Sequence, residues 1–327
     1  MPGRHECAIF SSREHEAAES CHSYENCLKN PGHENFISAQ DFKDNYLPRL
    51  PSDEQRERFR SWIDRTVRLR VNCTSQDRPD GYPMAEDRGT RKMRVGTGCL
   101  WRVEKPQYSE SCVCPKCDGN VARKQWIFRV ETAQHVVYNT EEAKKTKIDF
   151  FYDDDSYKSD GRMKSAWGVE VDMSLFDKDW CDMLCVTCDE DLGERIEKFG
   201  SRYWLNDELT YQVLSPLGLL SSGDKDCHPV LIVSHPHGQP KKITVGVETH
   251  RDRENHRLDY NTPTCPGSSG AQVFGYNDRM GTERLWWSLL PVHSGTENKH
   301  KLNVFQRWSR KLRGHKTEQD QINFGYK

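Results

Sequence analysis

The chain has 327 residues, a length that suggests about two domains. Lys and Arg number 48 against 50 Asp and Glu, a net charge of −2, which argues against a general nucleic-acid or membrane-surface binder. With 9 Trp, 12 Tyr and 12 Phe the chain is too aromatic to be disordered, and no run approaches the ~20 apolar residues of a membrane span.

The opening MPGRHECAIFSSREHEAAE has no apolar signal core. The 13 cysteines are an odd number, which a secreted chain rarely carries. The expected setting is the cytoplasm, with reduced thiols and a metal to use them. Residues 1–92 read as an N-terminal helical or irregular extension. Within it, 52–70 is the expected helix: Ser52 and Gln55 form a capping-box pattern, and Phe59, Trp62, Ile63 and Val67 share one face. Residues 75–92 are turn-rich and mark a boundary or a long ordered loop.

From 93 to 300 short apolar runs alternate with turns: GCLWRV (98–103), QWIFRV (125–130), KIDFFY (147–152), WGVEV (167–171), DMLCV (182–186), PVLIVS (229–234), KITVGV (242–247), AQVFGY (271–276) and LWWSLLPV (285–292). Their β-branched and aromatic content predicts strands. No helices alternate with them, so a mainly β barrel or sandwich is expected. One helix is predicted at 189–200, with Leu192, Ile196 and Phe199 on one face and Gly200 as its stop. Residues 301–327 read as a basic tail around SRKLRGHK (309–316).

The strongest chemical signal is TCPGSSGAQVF (264–274), a Gly-rich turn that presents serine before an apolar strand. A nucleophilic serine needs such a turn, with backbone N–H groups aimed at a developing oxyanion. Upstream, TAQHVVY puts His135 just after a predicted strand, and DMLCV puts Asp182 at the start of another. The order His–Asp–Ser is that of one known type of catalytic triad. Asp172, Asp177, Asp179 and Asp189 lie close to Asp182 in the chain.

A second signal is SCVCPKC, with Cys112, Cys114 and Cys117. C-x2-C puts two thiolates on one turn, a spacing that suits structural zinc. Cys188 or Cys185 could supply the fourth ligand, and Cys188 completes the expected set. The set Cys7, Cys21, Cys27 and His33 has looser spacing.

Together these motifs resemble the trypsin-like, chymotrypsin-fold serine peptidases over about residues 93–300. T-A-Q-H matches that family's T-A-x-H, D-M-L-C-V its Asp-bearing strand, and P-G-S-S-G-A its G-[DNS]-S-G-[GSA]. The closer resemblance is to the intracellular and bacterial branch that includes glutamyl endopeptidases, whose Gly-His-Pro-x-Gly appears here as SHPHG with Ser234 for Gly. The HVVYNTEEAK and CPGSSGA blocks also resemble uncharacterised invertebrate trypsin-like proteins. The resemblance implies two six-stranded antiparallel β-barrels with a cleft between them. It implies Ser269 as nucleophile, His135 as base and then acid, and Asp182 as the group orienting it. Gly267 and Ser269 would supply the oxyanion N–H groups.

Thr264 and His293 would line the specificity pocket, favouring Glu, Gln or another non-basic side chain before the cut. The expected partner is a polypeptide substrate, with neither nucleic acid nor membrane, and catalysis needs no cofactor. The extension offers a surface for a regulatory protein partner, or a cover that keeps the enzyme latent. Two other readings are a catalytically silent, protease-like regulatory module with a structural zinc, and an esterase.

Overall fold

The computed structural model describes residues 4–90, 92–109, 112, 114, 117, 123–199, 219, 228–252, 257–274, 292–298 and 321–326. The chain opens with β1 (Arg4–His5), β2 (Ala8–Phe10), α1 (Glu16–Glu25) and β3 (Ile37–Ser38). α2 (Asp53–Arg65) then runs directly into β4 (Thr66–Val71). The Ser52 side chain caps α2 by accepting from the Gln55 N–H. Phe59, Trp62 and Ile63 bury one face of α2 among Phe42, Leu231, Val233 and Phe274.

The helix stops short of the expected residue 70 because the sequence period changes from 3.6 to 2. Val67, Leu69 and Val71 enter a hydrophobic core, while Arg68 and Arg70 on the other face share Asp149. Thr66 and Val67 are also β-branched, which favours the extended chain.

The first barrel continues with β5 (Met93–Val103), β6 (Gln107–Ser109), β7 (Arg123–Ala133), β8 (Thr146–Phe150), β9 (Lys164–Leu175) and β10 (Trp180–Thr187). A short helix, α3 (Thr140–Lys144), lies between β7 and β8. The strand order β5-β4-β8-β9-β10-β7 closes through the β5–β7 pairing, with β2 added on β5 and β6 on β7. Leu69, Leu100, Phe128, Val130, Ile148 and Met183 fill the interior. α4 (Glu190–Glu197), capped by Asp189, packs Leu192 and Ile196 onto this core. Gly193 is required there, since a Cβ would fall 2.2 Å from the Trp126 ring.

The second sheet comprises β11 (Pro229–Ser234), β12 (Lys242–Asp252), β13 (Arg257–Tyr260), β14 (Val273–Phe274), β15 (Val292–Asn298) and β16 (Gln321–Tyr326). Its order is β1-β15-β16-β13-β12-β11-β14, and β3 pairs with β12. A Gln272–Val292 bridge draws its two sides together into a partly closed barrel. The fold is mainly β, with one closed antiparallel barrel and a second, partly closed one, the two-barrel arrangement expected from the sequence.

Two expected boundaries do not follow the fold. The segment 1–92 contributes β1 to the second sheet and β2 and β4 to the first. The expected tail 301–327 ends in β16, which pairs with both β13 and β15. Of the expected features, SRKLRGHK (309–316), Gly200, residues 275–276 and residues 285–291 lie outside the described residues.

Candidate active site

The turn Pro266–Gly270 is built for two glycines. Gly267 has φ +101° and Gly270 φ +85°, backbone regions that favour glycine. A Cβ on Gly267 would lie 2.3 Å from the His235 carbonyl oxygen, and one on Gly270 2.1 Å from Thr132 Oγ1. The Thr97 N–H donates to the Ser269 carbonyl at 2.8 Å, and the Gly270 N–H to that of His293 at 2.8 Å. The SHPHG stretch backs the turn. The His237 N–H donates to the Pro266 carbonyl, and Ser234 Oγ lies 3.1 Å from Ser268 Oγ.

His135 follows β7 in a loop fixed from behind by a buried ion network. Glu142 pairs with Arg78 and with Arg94, each at 2.7 Å. It also accepts the Tyr138 N–H at 2.9 Å. Arg78 in turn donates to the His135 carbonyl at 3.0 Å. The turn-rich stretch 75–92 therefore includes an ordered loop that clamps this histidine.

The His135 ring is held on both sides. Nε2 lies 2.7 Å from Ser269 Oγ, and Nδ1 lies 2.6 Å from Asp179 Oδ2. Asp179 also accepts the His135 backbone N–H at 2.9 Å and the Ser294 hydroxyl at 2.5 Å. Burial lowers the His135 pKa, but Asp179 and Cys7 outweigh it and raise the imidazole to about 9. Burial pushes the Asp179 carboxyl up, and His135 pulls it further down, below its ordinary range. All three side chains are buried.

The carboxylate at His135 is thus Asp179, not the expected Asp182. The Asp182 oxygens go to Trp101 Nε1 at 2.9 Å and Arg129 Nη1 at 2.7 Å. Asp182 sits inside β10, paired across to Glu131 of β7. Asp179 precedes β10 in a left-handed turn (φ 47°, ψ 42°), a conformation that aspartate tolerates better than most residues. The sequence held a trace of this: Asp179–Trp180–Cys181 also begins Asp-apolar-small, and Asp182 breaks the apolar run that should follow.

The cleft holds residues 4–6 of the chain itself. β1 pairs antiparallel with β15, Arg4 opposite Thr296 and His5 opposite Gly295. The His5 ring lies against His135, centroids 4.4 Å apart. The next residue, Glu6, places its carbonyl oxygen 2.6 Å from the Gly267 nitrogen and 3.3 Å from that of Ser269, both N–H groups donating. The Glu6 N–H donates to Ser269 Oγ at 3.0 Å. β2 then carries the chain onward along β5.

The Glu6 side chain fills a pocket containing both expected specificity residues. His293 Nε2 lies 2.7 Å from Glu6 Oε2. Tyr260 OH lies 2.7 Å from His293 Nδ1; a donating Tyr260 hydroxyl leaves the ring proton on Nε2, facing the carboxylate. Lys29 pairs with Glu6 Oε1 and donates to Thr264 Oγ1 at 3.0 Å and Asn323 Oδ1 at 2.9 Å. Burial pushes the Glu6 carboxyl up, but Lys29 and His293 outweigh it and hold it below the ordinary carboxylate range. Glu6 and Lys29 carried no signal in the sequence, because their importance comes from contacts across almost the whole chain.

Two clusters of potential metal ligands stand outside the triad. Cys112, Cys114, Cys117 and Cys188 place their sulfurs within 4.8 Å of one another, with Cys117 and Cys188 3.2 Å apart. Cys185 is not among them; it is buried within β10 in the first core. The second cluster, Cys27, His33, His237 and Cys265, also keeps its donor atoms within 4.8 Å and is wholly buried. Among the described residues no cysteine forms a disulfide. No helix among them is long and apolar enough to cross a membrane.

No family model matches this chain. No curated protein matches it. Among solved structures it is similar to a serine endoprotease of Yersinia pestis, at 12% identity and a TM-score of 0.34, over 68% of this chain and 54% of that one. The chain thus spans about half of that enzyme's length. It is also similar to an active-form protease of M. tuberculosis, at 11% identity and TM-score 0.38, covering 89% of this chain and 82% of that one. A thermostable serine protease from an extremophilic microorganism aligns at 11% identity and TM-score 0.35, over 81% and 91% of the two chains.

Proposed function

We propose that the chain is a serine endopeptidase cutting after glutamate, latent while its own N-terminal strand occupies the cleft. One observation carries this reading: the Glu6 carbonyl accepts from the Gly267 and Ser269 N–H groups while its carboxylate meets His293. Ser269 is the nucleophile. His135 takes its proton and later returns it to the leaving amine, and Asp179 fixes the imidazole and stabilises its charged form. Gly267 and Ser269 hold the oxyanion. No cofactor enters the chemistry. A silent regulatory module would have no need of N–H donors aimed at a carbonyl oxygen beside a histidine-bonded hydroxyl.

His293 and Lys29 give the pocket its selectivity. A glutamine would leave the Lys29 charge unpaired, and a basic side chain would face it directly, so glutamate is preferred. Cys112, Cys114, Cys117 and Cys188 are proposed to hold a structural zinc. Four thiolates are the set such an ion takes, and it would tie the loop after β6 to the end of β10. Thiolate ligation requires reduced cysteines, which supports a cytoplasmic setting. The segment upstream of β2 is where a regulatory protein partner would act, by drawing β1 out of the cleft.

The test is labelling with a fluorophosphonate, which reacts with an activated serine, followed by cleavage of peptides bearing Glu, Gln, Leu or Lys before the scissile bond. Label on Ser269 and a preference for Glu are expected. Absence of label on both the full chain and a chain that lacks residues 1–6 would overturn the reading.

A further inference from the structure

The N-terminal strand does more than cover the cleft. We infer that Glu6–Cys7 is the enzyme's own first substrate and is cut within the same molecule. This rests on the serine-peptidase reading above. β1 runs antiparallel to β15, with backbone pairing at His5 and Arg4. The Glu6 carbonyl sits between the two N–H donors, and the Glu6 N–H touches Ser269 Oγ. Glu6 satisfies the pocket's two polar contacts at once, through His293 and Lys29. Downstream, Ala8 and Phe10 are buried and pair with Val95 and Met93. The chain is therefore anchored on both sides of one peptide bond, a pre-positioned intramolecular arrangement that lowers the entropic cost of attack.

The chemistry balances. Ser269 Oγ bonds to the Glu6 carbonyl carbon as its proton passes to His135 Nε2. The oxyanion collapses, the Glu6–Cys7 C–N bond breaks, and the proton goes to the Cys7 nitrogen. Water then attacks the ester, giving its proton through His135 back to Ser269. One water is consumed, and one carboxylate and one amine are formed. Residues 4–6 are then held by a short strand, the Glu6 side chain and the contacts around His135 and Ser269, and no longer by the chain itself. Without the covalent tether their effective concentration falls to that of a free peptide, and the cleft opens. Lys29 lies beyond the cut and stays in the pocket.

The experiment uses the full chain, freshly purified from denaturant and refolded, sampled by intact mass while a fluorogenic glutamyl peptide reports turnover. Loss of the peptide ending in Glu6, at a first-order rate independent of protein concentration, is expected, with peptide hydrolysis rising in step. Ser269→Ala should remain intact, and Glu6→Ala should be cut about 10²-fold more slowly or not at all. An intact chain that nonetheless hydrolyses the peptide would overturn self-cleavage and leave the peptidase reading standing. An intact chain with neither hydrolysis nor fluorophosphonate label would overturn both. A rate proportional to protein concentration, or cutting of Ser269→Ala by wild type at the same rate, would replace the intramolecular event with an intermolecular one.

An independent observation assigns a second zinc site to Cys27, His33, His237 and Cys265. Its donors come from three separate segments, the loop of Cys27 and His33, His237, and Cys265, and converge in a buried space. The two sulfurs are 3.6 Å apart, too far for a disulfide, and Cys265 Sγ is 3.5 Å from His33 Nε2. His33 and His237 both have positive φ, 49° and 55°. That strain in two facing histidines calls for something that holds them. Two thiolates and two imidazoles form a familiar tetrahedral zinc set. Such an ion would fix the loop carrying Lys29 to the segment leading into the Ser269 turn.

Zinc content of the full chain should be two per molecule, falling to one in Cys27→Ser. In case that variant does not fold, cobalt-loaded wild type gives a second readout, with absorption from both a four-sulfur and a two-sulfur, two-nitrogen tetrahedral centre. One zinc in wild type with only four-sulfur absorption, or a Cys27–Cys265 disulfide by mass under reducing purification, would overturn the site.

Discussion

His293 Nε2 and the Glu6 carboxylate lie 2.7 Å apart, both buried, with Lys29 on the carboxylate's other oxygen. The imidazole is itself oriented by Tyr260. A pocket arranged this way reads a carboxylate by one fixed hydrogen bond and one charge.

Removing either contact should therefore change selectivity more than chemistry. His293→Ala and Lys29→Met are each expected to lower kcat/KM for glutamyl peptides by about 10²-fold, in line with ~2–5 kcal/mol for truncating one partner of a buried charged pair. Lys29→Met should narrow or reverse the preference of Glu over Gln. Steady-state kinetics on a matched Glu and Gln peptide pair measures both.

Exchange of the two aspartates by amide should separate their roles. Asp179→Asn is expected to lower kcat by about 10⁴-fold, because the amide no longer holds the imidazole in the required tautomer. Asp182→Asn loses contacts to Arg129 and Trp101 only and should retain activity within roughly threefold. Equal losses in both variants, at equal stability, would show that Asp179 has no special part.

The self-cleavage rate should climb with pH. Ser269 can give its proton only to a neutral His135, and Asp179 and Cys7 raise that imidazole to about 9. At pH 7 most molecules hold it protonated, so the rate should rise roughly tenfold per unit and level off near pH 9. Cys7→Ser removes one of the groups that raise the pKa and should move the profile to lower pH. A rate flat from pH 6 to 9 would contradict this assignment.

Glu142 should prove more costly to replace than any surface acid. Glu142→Gln leaves Arg78 and Arg94 buried without their counter-charge, a loss of about 3–5 kcal/mol. Its carboxyl is held below the ordinary range: burial opposes this, but Arg78 and Arg94 outweigh burial. Its contribution is therefore present above the unfolded-state carboxylate pKa and is lost as pH falls through the folded one. Urea unfolding at pH 7 and pH 3 should show the wild-type and variant midpoints converging in acid.

The parts of the site that were readable in the sequence are those with local backbone demands. Gly267 and Gly270 flag the Ser269 turn because no other residue fits their conformation, and His135 sits at a strand end in a recognisable string. The Asp182 assignment failed because the expected pattern, Asp followed by apolar residues, fits that strand residue better than Asp179. The strand after α2 was missed for a similar reason, since Val67 fits the helical stripe and the barrel interior equally well. Glu6, Lys29 and the meeting of Cys27 and His33 with His237 and Cys265 depend on contacts between distant parts of the chain, and no local spacing encodes those.

The division of residues 4–10 between two sheets has a practical corollary. β1 lies upstream of the bond at Ser269 and β2 downstream of it. Any affinity tag or fluorescent label fused ahead of Met1 leaves with the short peptide, whereas one fused after Lys327 stays with the protein. Material captured through an upstream tag is thus enriched in molecules that have never reacted, and each molecule can make that transition only once. A pair of tags, one at each end, would turn the ratio of the two signals into a record of how many molecules have fired since synthesis.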